Sequence, residues 1–551
     1  MVYFIRWIPP LLLTLISSNA LAAAAPQGGL PLPPVPPENP ITPEKAVLGK
    51  MLFWEEQLSS DNTVACGTCH QSAQGFTDPR FGVNPGGDGI TPSPDDVFTS
   101  PGVRNCDEQG YLQPSQAFGL NVQLTDRRTP EIFGALYQEE IFWDGRAEDT
   151  FLNPETGAVS IQTGGALESQ AVGPPLSDVE MAHENRDWPA LIDKLRTARP
   201  MALATDLPAD VANALANQPN YPELFRRAFG DPQITAERVA FAIATYERTL
   251  VPNQSPWDRF IAGDNNALTP DQRAGWDQFR GPANCAACHT PPFFSDGDFH
   301  NLGLRPINQD SGRQQVTGDF ADRGKFKTPS LRNAGLRTRF FHTGQDTELF
   351  PRGVAGFYLN GGGPFLDNKD PLLRPLNGVP GIDMRQIMDF VENGLTDPRV
   401  ANLDPPFDKP TLYSERVRPG SNLFGPDQPG SGGLVPQILA DVPAVAGGLD
   451  FKIGLDRALG GTSALLLIST EMGDGNLYQG IPLNVALPLW KSFSVEVAGF
   501  GPGNGYASQF LYPTANPAAV GRNFYAQWAV SDAGAPGGAG SATRGASFQI
   551  H

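Results

Sequence analysis

The sequence predicts a mainly α-helical body made of two like halves, followed by a small all-β sandwich domain. Three observations predict this. One five-residue motif occurs twice, once in each half of the first 410 residues. Apolar residues recur at helical spacing in both halves. Beyond about residue 415 that spacing gives way to short runs separated by turn residues. The core can be large, since 40% of the 551 residues are apolar and 9% aromatic, which excludes wholesale disorder. The 60 Gly and 54 Pro make the chain loop-rich. A formal net charge of −19 makes nucleic acid and anionic membrane poor partners and favours a basic or dipolar protein or a small molecule.

Residues 1–22 carry one positive charge (Arg6), an apolar stretch and the small-residue site Ala20-Leu21-Ala22. They read as a cleaved secretory signal, which implies a periplasmic protein without stable membrane insertion. Residues 23–43 are a Pro-rich tether. The first half covers 44–234. Its first helix, 43–54, has Thr42 as cap and Pro43 at its first position. Residues 82–125 hold much Gly, Pro, Asp and Asn and read as a long loop. The second half covers 235–415, with helices expected at 235–250, 268–279 and 383–393. A linker at 416–435 leads to the sandwich at 436–551. Strands are expected there at 451–455, 464–470, 481–486, 492–500, 506–512, 523–530 and 546–550.

The repeated motif is Cys66-Gly67-Thr68-Cys69-His70 and Cys285-Ala286-Ala287-Cys288-His289. Two thiols three positions apart can add to the two vinyl groups of a haem, and the adjoining His then reaches the iron. A disulfide or a zinc site would also use two such cysteines. Neither explains a His at the same offset twice in an exported chain. The motifs therefore predict two covalently bound haem c groups, and the halves read as two cytochrome c-like haem domains. Cys66, Cys69, Cys285 and Cys288 are the attachment residues; His70 and His289 are iron ligands. Cys106 is left over and reads as a buried thiol.

Many further segments resemble, in order, the bacterial di-haem cytochrome c peroxidases and their MauG-type relatives over roughly residues 39–400. They include Asn39-Pro40-Ile41-Thr42-Pro43-Glu44, Gly75-Phe76-Thr77-Asp78, Phe142-Trp143-Asp144-Gly145-Arg146-Ala147 and Gln170-Ala171-Val172-Gly173-Pro174. Glu247-Arg248-Thr249-Leu250, Phe299-His300-Asn301-Leu302-Gly303-Leu304, Lys327-Thr328-Pro329-Ser330-Leu331-Arg332-Asn333 and Phe341-His342-Thr343-Gly344 continue the series. The resemblance implies that the haem at His70 is peroxidatic and that the haem at His289 transfers electrons.

No histidine lies between His70 and His183, so the distal His that many members carry after the first motif is missing. Asn84, at about that place, is a poor iron ligand. The family's distal Gln and Glu match Gln170 and Glu180. Glu180 is the implied acid/base, with Gln170 orienting peroxide by hydrogen bonding. No Met lies between His289 and Met384. Where peroxidases of the family place a Met ligand stands Tyr358, as in MauG-type enzymes; a hard phenolate lowers the potential. Trp143 is the implied relay between the haems, and His300 and His342 are structural. Many members also hold a calcium ion through one Asn and backbone carbonyls. The matching segments here are Arg127-Arg128-Thr129-Pro130 and Arg337-Thr338-Arg339. An ion among arginines is electrostatically awkward, and an arginine head is the alternative.

The implied function is an exported di-haem peroxidase that reduces hydrogen peroxide with electrons from a small c-type cytochrome or another periplasmic protein. The alternative is a MauG-like enzyme whose high-valent di-haem state oxidises Trp or Tyr residues of a partner protein. A passive electron carrier would need both irons closed by strong sixth ligands, which the shortage of His and Met in the first half opposes.

Overall fold

The computed structural model describes residues 29–417 and 420–551; the expected signal at 1–22 lies outside them. No helix among the described residues is long and apolar enough to cross a membrane.

The first helix, Pro43–Phe53, is capped by the Thr42 side chain, which accepts from Lys45 N, and has Pro43 at its first position. It crosses Ala236–Glu247, whose apolar stripe includes Val239, Ala240 and Ile243. Gly49 permits the crossing: a Cβ there would lie 1.8 Å from Ala242 O. The second half repeats the device. Pro270–Arg280 crosses Met384–Asp389, and a Cβ on Gly275 would lie 2.0 Å from Gln386 O. Helix 383–393 changes character part way, because Phe390–Gly394 winds as a π-helix. Each Cys-x-x-Cys-His segment follows one of the two Gly-bearing helices.

Two apolar clusters surround these crossings. The first joins Leu48, Phe53, Phe76 and Phe133 to Ile243 and also takes in Val400, Phe407 and Leu412. The second joins Trp257, Phe279 and Phe294 to Ile387 and Phe390. Residues 128–147 and 327–346 follow one path at a constant offset of 199 positions, from Arg128-Thr129-Pro130 to Lys327-Thr328-Pro329. Both contain a short 3₁₀ helix, Ala135–Tyr137 and Ala334–Leu336. Both then make a tight turn through left-handed Phe142 and Gly145, or Phe341 and Gly344. The offset places Trp143 and His342 at equivalent positions.

Helices are short and loops extensive, as the Gly and Pro content dictates. The region 82–125 is not one loop: it contains the ribbons Gly82–Asn84 with Val97–Thr99 and Pro101–Arg104 with Val122–Leu124. The Pro-rich stretch is strapped to the body. Arg248 Nε donates to Pro34 O at 3.1 Å, and Tyr137 Oη donates to Pro31 O at 2.8 Å.

The C-terminal region is built of strands: seven of them form one sheet, which takes in Leu423–Phe424 from the expected linker, and Leu477–Tyr478 and Ile481–Pro482 form a separate two-stranded ribbon. Lys452–Ser469 and Lys491–Phe510 pair along their length, each fusing two of the expected short strands. Register shifts near Ala458 and Gly460 bend the pair. Asn523–Val530 pairs with Lys452–Ser469 and with Gly545–Gln549. Trp528 is fully buried and its Nε1 donates to Gly454 O at 2.9 Å, on the other arm of the bent strand. The two arms thus face each other across a core, which gives sandwich-like packing from a continuous ladder. The bulges at Gly460 and Gly461 let one strand turn the corner, so no separate second sheet is needed.

Candidate active site

The two proximal histidines are held in the same way. His70 Nδ1 donates to Phe76 O and His289 Nδ1 to Phe294 O, each at 3.1 Å. Both phenylalanines adopt left-handed backbone, φ +58° and +53°, which bulky residues rarely do. The strained turn aims the carbonyl at the imidazole. With its proton fixed on Nδ1, each ring keeps Nε2 free as a metal donor. Burial lowers the pKa of both rings, that of His289 to about 4, so both are neutral, the ligating form. Cys66, Cys69, Cys285 and Cys288 are free thiols. This pairing, made twice, fits a haem held by each motif better than a disulfide.

Each motif opens on a cavity. The one at His70 has a volume of about 790 Å³, and Gln170, Glu180, Asn84 and Arg146 are among its walls. The one at His289 has about 210 Å³, and Tyr358, Met384 and Met388 are among its walls. Trp143, Arg128, Arg305 and His342 line both.

Glu180 is half-buried, and desolvation raises its pKa, opposed by the nearby Arg146 charge. Gln170 projects from the helix Ala166–Ala171 into the same cavity. Asn84 is committed elsewhere: its Nδ2 donates to Leu124 O and Thr125 O and its Oδ1 accepts from Gly86 N. Tyr358 lies on Gly353–Leu359, and burial pushes its phenol pKa up. Trp143 Nε1 donates to Arg128 O at 2.7 Å. Its indole stands edge-on to the imidazole of His342, centroids 6.0 Å apart.

His300 is held from both sides, by Asp370 at Nδ1 (2.5 Å) and Asp296 at Nε2 (2.9 Å). The Asp296 contact, first among several, raises its pKa to about 11. A ring bound on both nitrogens has none left for iron, in line with a structural role. Asp296 and His300 also meet Cys288 within 4.8 Å; a thioether at Cys288 removes the thiolate such a metal cluster would use. Cys106 is buried, with Lys452 Nζ 3.3 Å from its sulfur.

The sequence reading gave Glu247 no role in the site. It is 4% exposed, lines the first cavity and leaves Oε2 without a partner. Burial pushes its pKa up to about 8. The signal was a carboxylate in register with the apolar positions Ala240 and Ile243. The arginines of the expected calcium segment are buried or half-buried, and each brings a positive charge to the place where backbone carbonyls would hold a divalent cation.

A family model described as di-haem cytochrome c peroxidase matches residues 43–266. The chain is 32% identical over 336 residues to the methylamine utilization protein MauG of Methylorubrum extorquens, covering 60% of this chain and 72% of the relative. It is 30% identical over 318 residues to the cytochrome c551 peroxidase of Nitrosomonas europaea, covering 56% and 73%. It is 29% identical over 433 residues to the cytochrome-c peroxidase IdrP1 of a Pseudomonas species, covering 72% and 92%.

Proposed function

The chain belongs to the di-haem cytochrome c peroxidase and MauG family, and on that premise we propose that it is a periplasmic peroxidase reducing hydrogen peroxide with electrons from a c-type cytochrome. Two haem c groups are attached through Cys66 and Cys69 and through Cys285 and Cys288, with His70 and His289 as proximal ligands. One observation carries the reading: two cavities with the same proximal histidine geometry have different far walls, and Trp143 lines both.

Bound haem supplies an iron that takes up peroxide and exchanges electrons. The chain's residues divide the remaining work. Glu180, held above its ordinary pKa by burial, takes a proton from the incoming peroxide and returns it to the leaving oxygen. Gln170 orients the peroxide by hydrogen bonding. Asn84, already bonded, leaves the far side of the first cavity open to substrate. Tyr358 closes the second cavity as an oxygen ligand. Trp143 relays electrons; its N–H is committed to a neutral carbonyl, so the indole keeps its proton when oxidised.

The domain plan follows the apolar clusters. The helix Ala236–Glu247 packs against Pro43–Phe53, so we draw the boundary between the two cytochrome c-like domains near residue 252, beyond the 234/235 break in pattern. The third domain, 436–551 with the strand Leu423–Phe424 that pairs onto its last strand, contains no Cys, and its one His is the terminal His551.

Steady-state turnover tests the function. Peroxide-dependent oxidation of reduced cytochrome c at catalytic rates is expected. A ferric spectrum that is wholly low-spin and indifferent to peroxide would replace the reading with that of a carrier. The Tyr358 position favours a second activity, peroxide-driven oxidation of Trp or Tyr on a partner protein. Slow turnover with cytochrome c, together with a long-lived peroxide-oxidised state, would select it.

A further inference from the structure

Arg128 is an anomaly. Its side chain is among the largest fully buried ones, and Nη1 donates to Arg80 O at 2.7 Å, yet Nε and Nη2 have no partner. A buried cation without a counter-charge is costly. The nearby carboxylates are already engaged. Asp78 is held by Arg80, Asp144 and Asp310 are held by Arg127, and Glu131 accepts from Gly134 N and Ser330 N.

Arg128 is not alone. Arg305 gives both outer nitrogens, and Arg337 its Nη2, to backbone carbonyls, and each leaves Nε buried and unpartnered. Arg339 donates to Gly344 O. All four line one or both cavities, and Arg128 and Arg305 line both. Lys327, equivalent to Arg128 under the 199-residue offset, donates to Gly297 O and faces the second cavity. A chain of net charge −19 thus concentrates guanidinium groups with unpartnered nitrogens where its two cavities meet. Such a well calls for an anionic ligand, and the planar fork of a guanidinium suits a carboxylate. Each haem carries two carboxylates.

We propose that Arg128 is the centre of a guanidinium well that binds the haem carboxylates, and that the chain needs no divalent cation between its two haems. This rests on the di-haem reading above. Burial lowers the pKa of Arg128 only to about 10, so it stays charged at neutral pH. A calcium ion there would meet positive side chains. A fixed cation beside both haems favours their reduced states and cannot be removed by chelators.

The holoprotein decides the matter. After dialysis against EDTA, elemental analysis should find no stoichiometric calcium, and both midpoint potentials and the thermal midpoint should stay put. In Arg128→Gln both potentials should fall, and the haem propionate bending bands in resonance Raman spectra should move. Arg128→Lys should restore part of the potential. Should Arg128→Gln fail to take up haem, Arg305→Gln is read the same way. One equivalent of calcium whose removal shifts the potentials would overturn the proposal. So would a haem-loaded Arg128→Gln protein with wild-type potentials and bands. If the potentials respond to Arg128 but peroxide is not turned over, the well stands and the peroxidase reading fails.

Discussion

Glu180 and Arg146 set the chemistry of the first cavity at the scale of single residues. Burial raises the Glu180 pKa and the Arg146 charge holds it down. Glu180 acts as a base toward peroxide, so kcat/KM should fall as pH drops through its raised pKa. Glu180→Gln should lower kcat/KM for peroxide by about 10²- to 10⁴-fold, measured under single-turnover conditions. Arg146→Gln removes the opposing charge and should move the acidic limb of the pH profile upward. An unmoved limb would assign the titration to another group. Tyr358→Phe should alter the electronic spectrum and EPR signal of the second haem while leaving the first unchanged. Glu247 has its own pH signature. Its folded pKa, about 8, lies above the ordinary 4.5, so its contribution to stability is complete below about pH 4.5 and is lost as pH rises through 8. Urea midpoints measured across that window should flatten in Glu247→Gln.

At the scale of elements, two helix crossings hold the two motifs in place. Gly49 and Gly275 let backbone meet backbone closer than any Cβ allows. Gly49→Ala and Gly275→Ala should each cost about 1–3 kcal/mol or more through forced separation of the helices, read as lower thermal midpoints. Each should perturb the spectrum of its own haem first, since the neighbouring Cys-x-x-Cys-His segment rides on that crossing. The left-handed Phe76 and Phe294 act at the same scale: they bring a carbonyl back onto the imidazole after five or six residues.

At the scale of the whole molecule, the C-terminal region is fastened to the first half by buried and half-buried polar contacts. Lys452 Nζ donates to Gly110 O at 2.6 Å, Arg104 meets Asp441 at 2.7 Å, and Lys194 meets Asp450 at 2.7 Å. Tyr111 stacks edge-on against Phe510. The double variant Arg104→Ala, Lys452→Met should loosen this docking and speed limited proteolysis near residues 416–422, ahead of the strand Leu423–Phe424, while peroxide turnover persists. Equal proteolysis of variant and wild type would mean that the remaining apolar contacts suffice.

Much of this was written in the linear pattern. Two Cys-x-x-Cys-His motifs declare their chemistry because thiol spacing and an adjacent imidazole are local requirements. Helix 43–54 was readable from its Thr-Pro cap, and the change to strands after residue 415 from turn residues. The sequence pattern suggested a β-sandwich of short strands where one bent sheet stands, because pairing along Lys452–Ser469 depends on partners 15 to 66 residues away. It also placed Glu247 in a family segment without a role in the site, because the residue looks like any helix carboxylate until its face is buried. The equivalence of Trp143 with His342 lay hidden because few residues are identical at the two places; shared backbone turns reveal it. Motif spacing by itself pointed to haem, since two thiols and an adjoining imidazole at fixed offsets are a short-range requirement. Only the tertiary structure decided which side chains share a cavity and which buried charges lack a partner, since those depend on segments brought together from distant parts of the chain.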